Sequence, residues 1–292
     1  MVKVTVPSST ANIGPGFDTL GLALNLYNTY YFEETENGLE IEGCPDEYKN
    51  KNNLVYKSFM AVAHETGLEV RGLRIIMDAK IPVSRGLGSS SACIVGGVFG
   101  ANEVLNANLS KDELFRIAVK IEGHPDNIAP AVYGGLVASI VDEGTPYHTS
   151  YKIHESIKFC ALIPNFETST AEARTLLPRE ISFEDAVFNV SRVAVLLKSL
   201  ENGDFDLIEK SLKDKLHQDY RKVLIDEFDK VEKICKDKNS KGFFVSGSGP
   251  TLMNIINNFN FTKLIENDII LLNNKWEIKL LQTDKQGVAV EK

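Results

Sequence analysis

The run Pro82-Val83-Ser84-Arg85-Gly86-Leu87-Gly88-Ser89-Ser90-Ser91-Ala92 stands between a strand-like segment, residues 73–77, and a helix of small residues reaching about Leu105. Gly86 and Gly88 let the backbone curl and approach a ligand closely. The three serines then open the helix, where the first amides lack intrahelical partners and the helix end carries roughly half a positive charge. Such a loop is a nest for polyphosphate, and a serine hydroxyl in it suits Mg²⁺, which takes oxygen ligands. A Walker A loop requires Gly-Lys-Ser/Thr at its end, and no lysine stands there. The dinucleotide fingerprint GxGxxG is matched only in its first half, with no acidic residue about 20 positions on. A serine-capped helix after a tight turn accounts for the same residues.

Strand and helix patterns alternate along the whole chain, which sets the class as α with β. Its 292 residues are long for one core and comfortable for two lobes, with a boundary placed near residue 155. Strands are expected at residues 2–6, 26–34, 39–42, 136–141, 158–163, 243–245 and 252–256, with two closing strands in 277–290. Residues 7–21 read as turn-rich. Helical spacing marks residues 54–65 and 182–200, and Ser110-Lys111-Asp112-Glu113 is a capping box opening a helix that ends near Glu122.

A net charge of −8 argues against a general binder of nucleic acid or anionic membrane, so phosphate must be held locally. The longest apolar stretch, residues 92–101, contains three glycines and is too short for a membrane span. The N-terminus reads as a strand and not as a signal peptide, and the four cysteines are widely separated. Both point to buried thiols in the cytoplasm.

Three further clusters concentrate polar chemistry. Glu122-Gly123-His124-Pro125-Asp126-Asn127-Ile128-Ala129-Pro130 offers a hard metal ligand, a proton-active histidine and an amide, or a helix-ending turn with Asn127 as the next N-cap. In Ser8-Ser9-Thr10-Ala11-Asn12-Ile13-Gly14-Pro15-Gly16-Phe17-Asp18, Asn12 and Asp18 flank a glycine turn and offer groups for an ammonium or hydroxyl, or plain turn chemistry. Ser246-Gly247-Ser248-Gly249-Pro250-Thr251 is a close backbone approach or a tight hairpin. Arg174 and Arg221 are isolated cations, by default solvated.

In this order the clusters resemble the GHMP family of small-molecule kinases, from residue 4 to 251, with the last strands similar to the family's usual ending. Residues 82–92 are similar to its phosphate loop and residues 246–251 to its third motif. Residues 12–18 and 124–130 resemble the stretches of members that phosphorylate the hydroxyl of L-homoserine, a step of threonine biosynthesis. The resemblance implies an α+β fold of two lobes. The first, residues 1–155, binds ATP and contains a left-handed β-α-β unit; the second, residues 156–292, is ferredoxin-like.

The resemblance also implies roles. The backbone of Pro82, Val83, Ser84, Arg85, Gly86, Leu87, Gly88, Ser89, Ser90, Ser91 and Ala92 would hold ATP phosphates, with Asn53 near the adenine. Ser90 and Glu122 would bind Mg²⁺, Glu113 being a second candidate better explained by its capping box. Asn12 and Asp18 would hold the hydroxyl and ammonium ends of the acceptor, and Arg174 and Arg221 its α-carboxylate. His124 would close over the site and Asn127 touch the reacting region. Asn127 stands where other members have an aspartate base, which implies transfer without a dedicated base. A homodimer is compatible with the resemblance. Two rivals are a GHMP kinase acting on another small alcohol and a member that binds ligand without turnover. Asp18 with two arginines favours an amino acid, and Ser90 in an intact glycine loop favours turnover.

Overall fold

The computed structural model describes residues 1–292 and contains a seven-stranded and a four-stranded sheet. The first is built on β1 (Val2–Ala11) and β2 (Leu20–Thr35). Their alternating residues Val4, Val6, Tyr30 and Phe32 are fully buried, as the period of two requires. β3 (Gly38–Glu42), α1 (Leu54–Thr66) and β4 (Gly72–Ala79) form a parallel β-α-β unit, with β4 paired to β2. β5 (Leu136–Asp142) and β6 (Thr145–Tyr151) make a hairpin on the start of β2. The sequence reading missed β6 because only Pro146 in it is buried, so no apolar alternation marks it.

α2 (Ser89–Val104) packs on β1 and β2, against α1 and α3 (Lys111–Glu122), with the short α4 (Ile128–Tyr133) beside it. Its small residues permit the close approach. A Cβ on Gly96 would lie 2.4 Å from the Tyr30 ring, and one on Gly97 2.3 Å from the Val55 carbonyl oxygen.

The second sheet has the order β10-β7-β9-β8, all antiparallel, from β7 (Lys158–Pro164), β8 (Gly242–Val245), β9 (Leu252–Ile256) and β10 (Trp276–Leu281). Between β7 and β8 run α5 (Thr170–Thr175), α6 (Phe183–Asn202), α7 (Phe205–Ser211), α8 (Gln218–Arg221) and α9 (Phe228–Asp237); α10 (Phe261–Ile269) joins β9 to β10. The strand order and the β-α-β-β-α-β succession are those of a ferredoxin-like lobe. One hydrophobic cluster runs through both sheets, from Val4 to Leu281, and a smaller one lies beneath α9 and α10. The tail then returns: β11 (Ala289–Glu291) pairs with β1, so the last residues of the segment assigned to the second lobe lie on the first sheet. No helix is long and apolar enough to cross a membrane.

Candidate active site

The far end of β1 is where the clusters meet. The strand continues to Ala11, through residues read as turn, and Ser8, Ser9 and Thr10 are all fully buried. Buried hydroxyls need partners, and these come from distant motifs. Ser9 donates to Asn127 Oδ1 at 2.9 Å, its N–H donates to the Leu87 carbonyl at 3.1 Å, and the Ser246 and Thr10 hydroxyls are hydrogen-bonded at 2.8 Å.

The phosphate loop is wedged between β1 and the 246–250 turn. Ser84, Gly86 and Gly88 have φ of 54°, 71° and 71°. A Cβ on Gly86 would meet the Ser246 carbonyl oxygen at 2.2 Å, and one on Gly88 would meet Ser9 Oγ at 2.1 Å. Gly88 is the N-cap of α2 and has no side chain to cap it, so the first-turn amides stay open to an anion. Arg85, the loop's one cation, turns away. Its guanidinium donates to the Pro164 carbonyl at 2.9 Å and the Asn165 carbonyl at 3.2 Å, and pairs with Glu167 at 3.2 Å. Leu87 and Ala92 are buried in the core and anchor the loop.

Glu122, at the end of α3, reaches the same helix start. Ser90 donates to its Oε2 at 3.0 Å and Ser91 to its Oε1 at 2.8 Å. The structure thus brings together the two oxygen ligands implied for Mg²⁺. Glu113 is engaged in the Ser110 capping box, which removes it as an alternative ligand.

Beyond Glu122, His124 Nδ1 lies 2.7 Å from Asp126 Oδ1. That hydrogen bond raises the histidine's pKa above its ordinary 6.5, against the effect of burial. Asn127 occupies the N-cap position of α4, yet its side chain makes no cap. With its oxygen accepting from Ser9, the amide nitrogen is the end on offer beside the phosphate loop.

The acceptor side is built on left-handed backbone at Asn12, Ile13 and Asp18, with φ of 70°, 44° and 51°. Non-glycine residues rarely adopt this conformation, and it concentrates at functional sites. Asn12 is buried, donating to the Gly247 carbonyl at 2.9 Å and accepting the Asp18 N–H at 3.0 Å. Asp18 and Arg174 form a two-pronged pair, Nη1 to Oδ2 at 3.0 Å and Nη2 to Oδ1 at 2.9 Å. Arg221, expected from sequence to be solvated by default, is 2% exposed. It donates to the Gly247 carbonyl at 2.8 Å, and burial pulls its pKa below the usual value. The Phe17 ring lies 5.7 Å from the Arg174 guanidinium and 5.1 Å from that of Arg221.

Asn53 stands apart from this cluster. It is buried as the N-cap of α1, accepting from the Val55 and Tyr56 amides and donating to the Tyr48 carbonyl. Phe17, Asp126, Ser9 and Ser246 lie inside the sequence clusters but carry no individual role there. Asp126 is a buried carboxylate in a polar turn, and Phe17 an aromatic among turn residues; their spacing alone distinguished neither from structural use.

Models of the GHMP kinase N-terminal domain and of the GHMP kinase C-terminal domain match residues 53–135 and 196–260. A homoserine kinase of Clostridium botulinum is 50% identical over 292 residues, covering 99% of this chain and 98% of its own. One of Clostridium beijerinckii is 44% identical over 293 residues, with the same coverage. The crystal structure of homoserine kinase from Cytophaga hutchinsonii superposes with a TM-score of 0.87 at 27% identity, covering 99% of this chain and 97% of that one. Glycine loop, Ser90–Glu122 pair and third motif thus stand in a fold and a sequence shared from end to end, and the chain belongs to the GHMP kinase family.

Proposed function

We propose that the chain transfers the γ-phosphate of ATP to the side-chain hydroxyl of L-homoserine, giving O-phospho-L-homoserine. The observation that carries the acceptor is the Asp18–Arg174 pair with buried Arg221 beside it. Two guanidinium groups and a carboxylate supply both charges that an α-amino acid requires. A planar guanidinium matches a carboxylate in two-pronged geometry. The acceptor enters by partner exchange: its carboxylate takes Arg174 and its ammonium takes Asp18. The full-length similarity to homoserine kinases supports the same acceptor.

The open amides of α2 and the loop backbone bind the ATP phosphates. Arg85 holds the loop to the second lobe and leaves this task to the main chain. Asn53 serves the nucleotide indirectly, by fixing the start of α1. Asn12 serves the acceptor in the same way, by holding Asp18. Ser90 and Glu122, both oxygen donors at 3.0 Å from each other, fit Mg²⁺ and would hold it against the phosphates. When bound, that ion supplies neutralisation of charge on the β- and γ-phosphate oxygens.

Asn127 has no proton-accepting group at neutral pH, and His124 is held toward its protonated form by Asp126. These residues therefore orient the hydroxyl and offer N–H donors, and the proton leaves to phosphate or solvent. Positioning accounts for most of the rate in such a transfer. The experiment is ADP release from ATP and Mg²⁺ with L-homoserine, in parallel with uncharged alcohols and mevalonate. Turnover of homoserine above the others is expected. Preference for an acceptor without an ammonium group would refute the assignment.

A further inference from the structure

We propose that His217 is a positioning residue for the carboxylate clamp, holding Arg221 while bracing the 14–17 turn. The inference rests on the amino-acid acceptor proposed above. His217 is completely buried, and its Nε2 lies 2.8 Å from the Gly14 carbonyl oxygen. A carbonyl only accepts, so Nε2 carries the hydrogen and the neutral ring presents a lone pair at Nδ1. Arg221 Nη1, which only donates, lies 3.4 Å from that nitrogen. The ring also stacks on Phe17, centroids 5.2 Å apart at 28°, and Phe17 lies against both clamp arginines.

A second set of bonds fixes the backbone around this ring. Asp214 accepts the N–H groups of His217 and Gln218, both at 2.8 Å, and the Asn189 amide at 2.7 Å. Asn189, on α6, also donates to the Pro15 carbonyl at 3.1 Å. Gly14 and Pro15 are thereby tied to the segment that carries Arg221. The charged groups around the imidazole are Asp214, 3.7 Å from Nε2, and Arg221 and Asp18. Burial lowers the pKa of His217 in spite of Asp214, in keeping with a neutral ring.

A core histidine that only fills space would affect every substrate alike when replaced. A positioning residue affects the substrate whose carboxylate Arg221 grips. His217→Gln keeps an N–H for Gly14 but has no acceptor at the Nδ1 position; His217→Asn places an oxygen near it. Steady-state KM is measured for homoserine, for aminopropanol (the same kind of alcohol without a carboxylate) and for ATP. His217→Gln is expected to raise the homoserine KM about tenfold, the scale of one hydrogen bond to a charged group. The aminopropanol and ATP values should hold, and His217→Asn should recover part of the loss. Equal rises for both alcohols, or no rise for homoserine, would overturn the inference. Wild-type enzyme inactive on homoserine would remove the acceptor assignment and this inference together.

Nitrogen NMR of the wild-type imidazoles, assigned by replacing His64, His124, His148 and His154 in turn, needs no folded His217 variant. A neutral Nε2–H tautomer is expected near neutral pH, with an Nδ1 shift that responds to homoserine and not to aminopropanol. An Nδ1–H tautomer or a charged ring would overturn the proposal.

Discussion

Replacing each clamp arginine by alanine should cause unequal losses, because the two start from different states. Arg174 is paired with Asp18 before substrate arrives, and the two side chains are 39% and 36% exposed. A pair that open to solvent is worth about 1 kcal/mol or less. Contact with the substrate carboxylate is worth about 2–3 kcal/mol. Arg174→Ala loses the contact but no longer has to open the pair, leaving a net loss of about 1–2 kcal/mol, or roughly 5- to 30-fold in homoserine KM. Arg221 is buried, has no carboxylate partner to surrender and is already desolvated. Its loss should exceed that of Arg174, at roughly 30-fold or more, since truncating a buried charged partner costs about 2–5 kcal/mol. A coupled ADP-release assay read against both substrates measures this. The ATP KM should move little in either variant. A larger effect at Arg174 than at Arg221, or parallel rises in both KM values, would refute the partner-exchange reasoning.

Glu122→Gln should raise the Mg²⁺ concentration for half-maximal rate by at least the roughly tenfold that outer-shell partners lose. Glu113→Ala should lower the melting temperature slightly and leave the Mg²⁺ dependence alone, since Glu113 only closes a capping box; a Mg²⁺ effect there would exchange the two roles. The raised pKa of His124 means its bond to Asp126 contributes stability fully below pH 6.5, a contribution lost as pH rises through the folded value. His124→Gln should remove that alkaline-side decline in melting temperature, and an unchanged pH profile would show the pair contributes nothing. Asn127→Asp should lower kcat, because it sets a carboxylate beside Ser9 and the phosphate nest. Retained activity with a new acidic limb in the pH–rate profile would restore a catalytic base.

Much of the first lobe was legible because its signals are local. The 54–65 periodicity, the Ser110 capping box and the glycine–serine loop each declare an element within a dozen residues. The β-α-β-β-α-β order of the second lobe came from family resemblance, since its short strands pair across long helical insertions that no local pattern reports. The site was legible as motifs but not as contacts. Arg221 carried the same expectation of exposure as any arginine, and only the packing of α8 against Phe17 and Gly247 buries it. The side chains of Asn12 and Asn53, residue types suited to ligands, also brace the backbone here.

The division of the chain explains why these two kinds of signal behave differently. On the proposed assignment, polyphosphate is held by backbone amides at the start of α2, and the loop, the helix and the glutamate all lie within residues 82–122. Recognition of a zwitterion requires opposite charges at fixed separation, and here Asp18 comes from the first lobe while Arg174 and Arg221 come from the second. The two lobes share one hydrophobic cluster and are joined at Ser246, Thr10 and Gly86. On the proposed assignment, acceptor choice depends on how the second lobe seats on β1, and since Gly86 and Arg85 tie the phosphate loop to the same seam, changes there should raise the KM of both substrates.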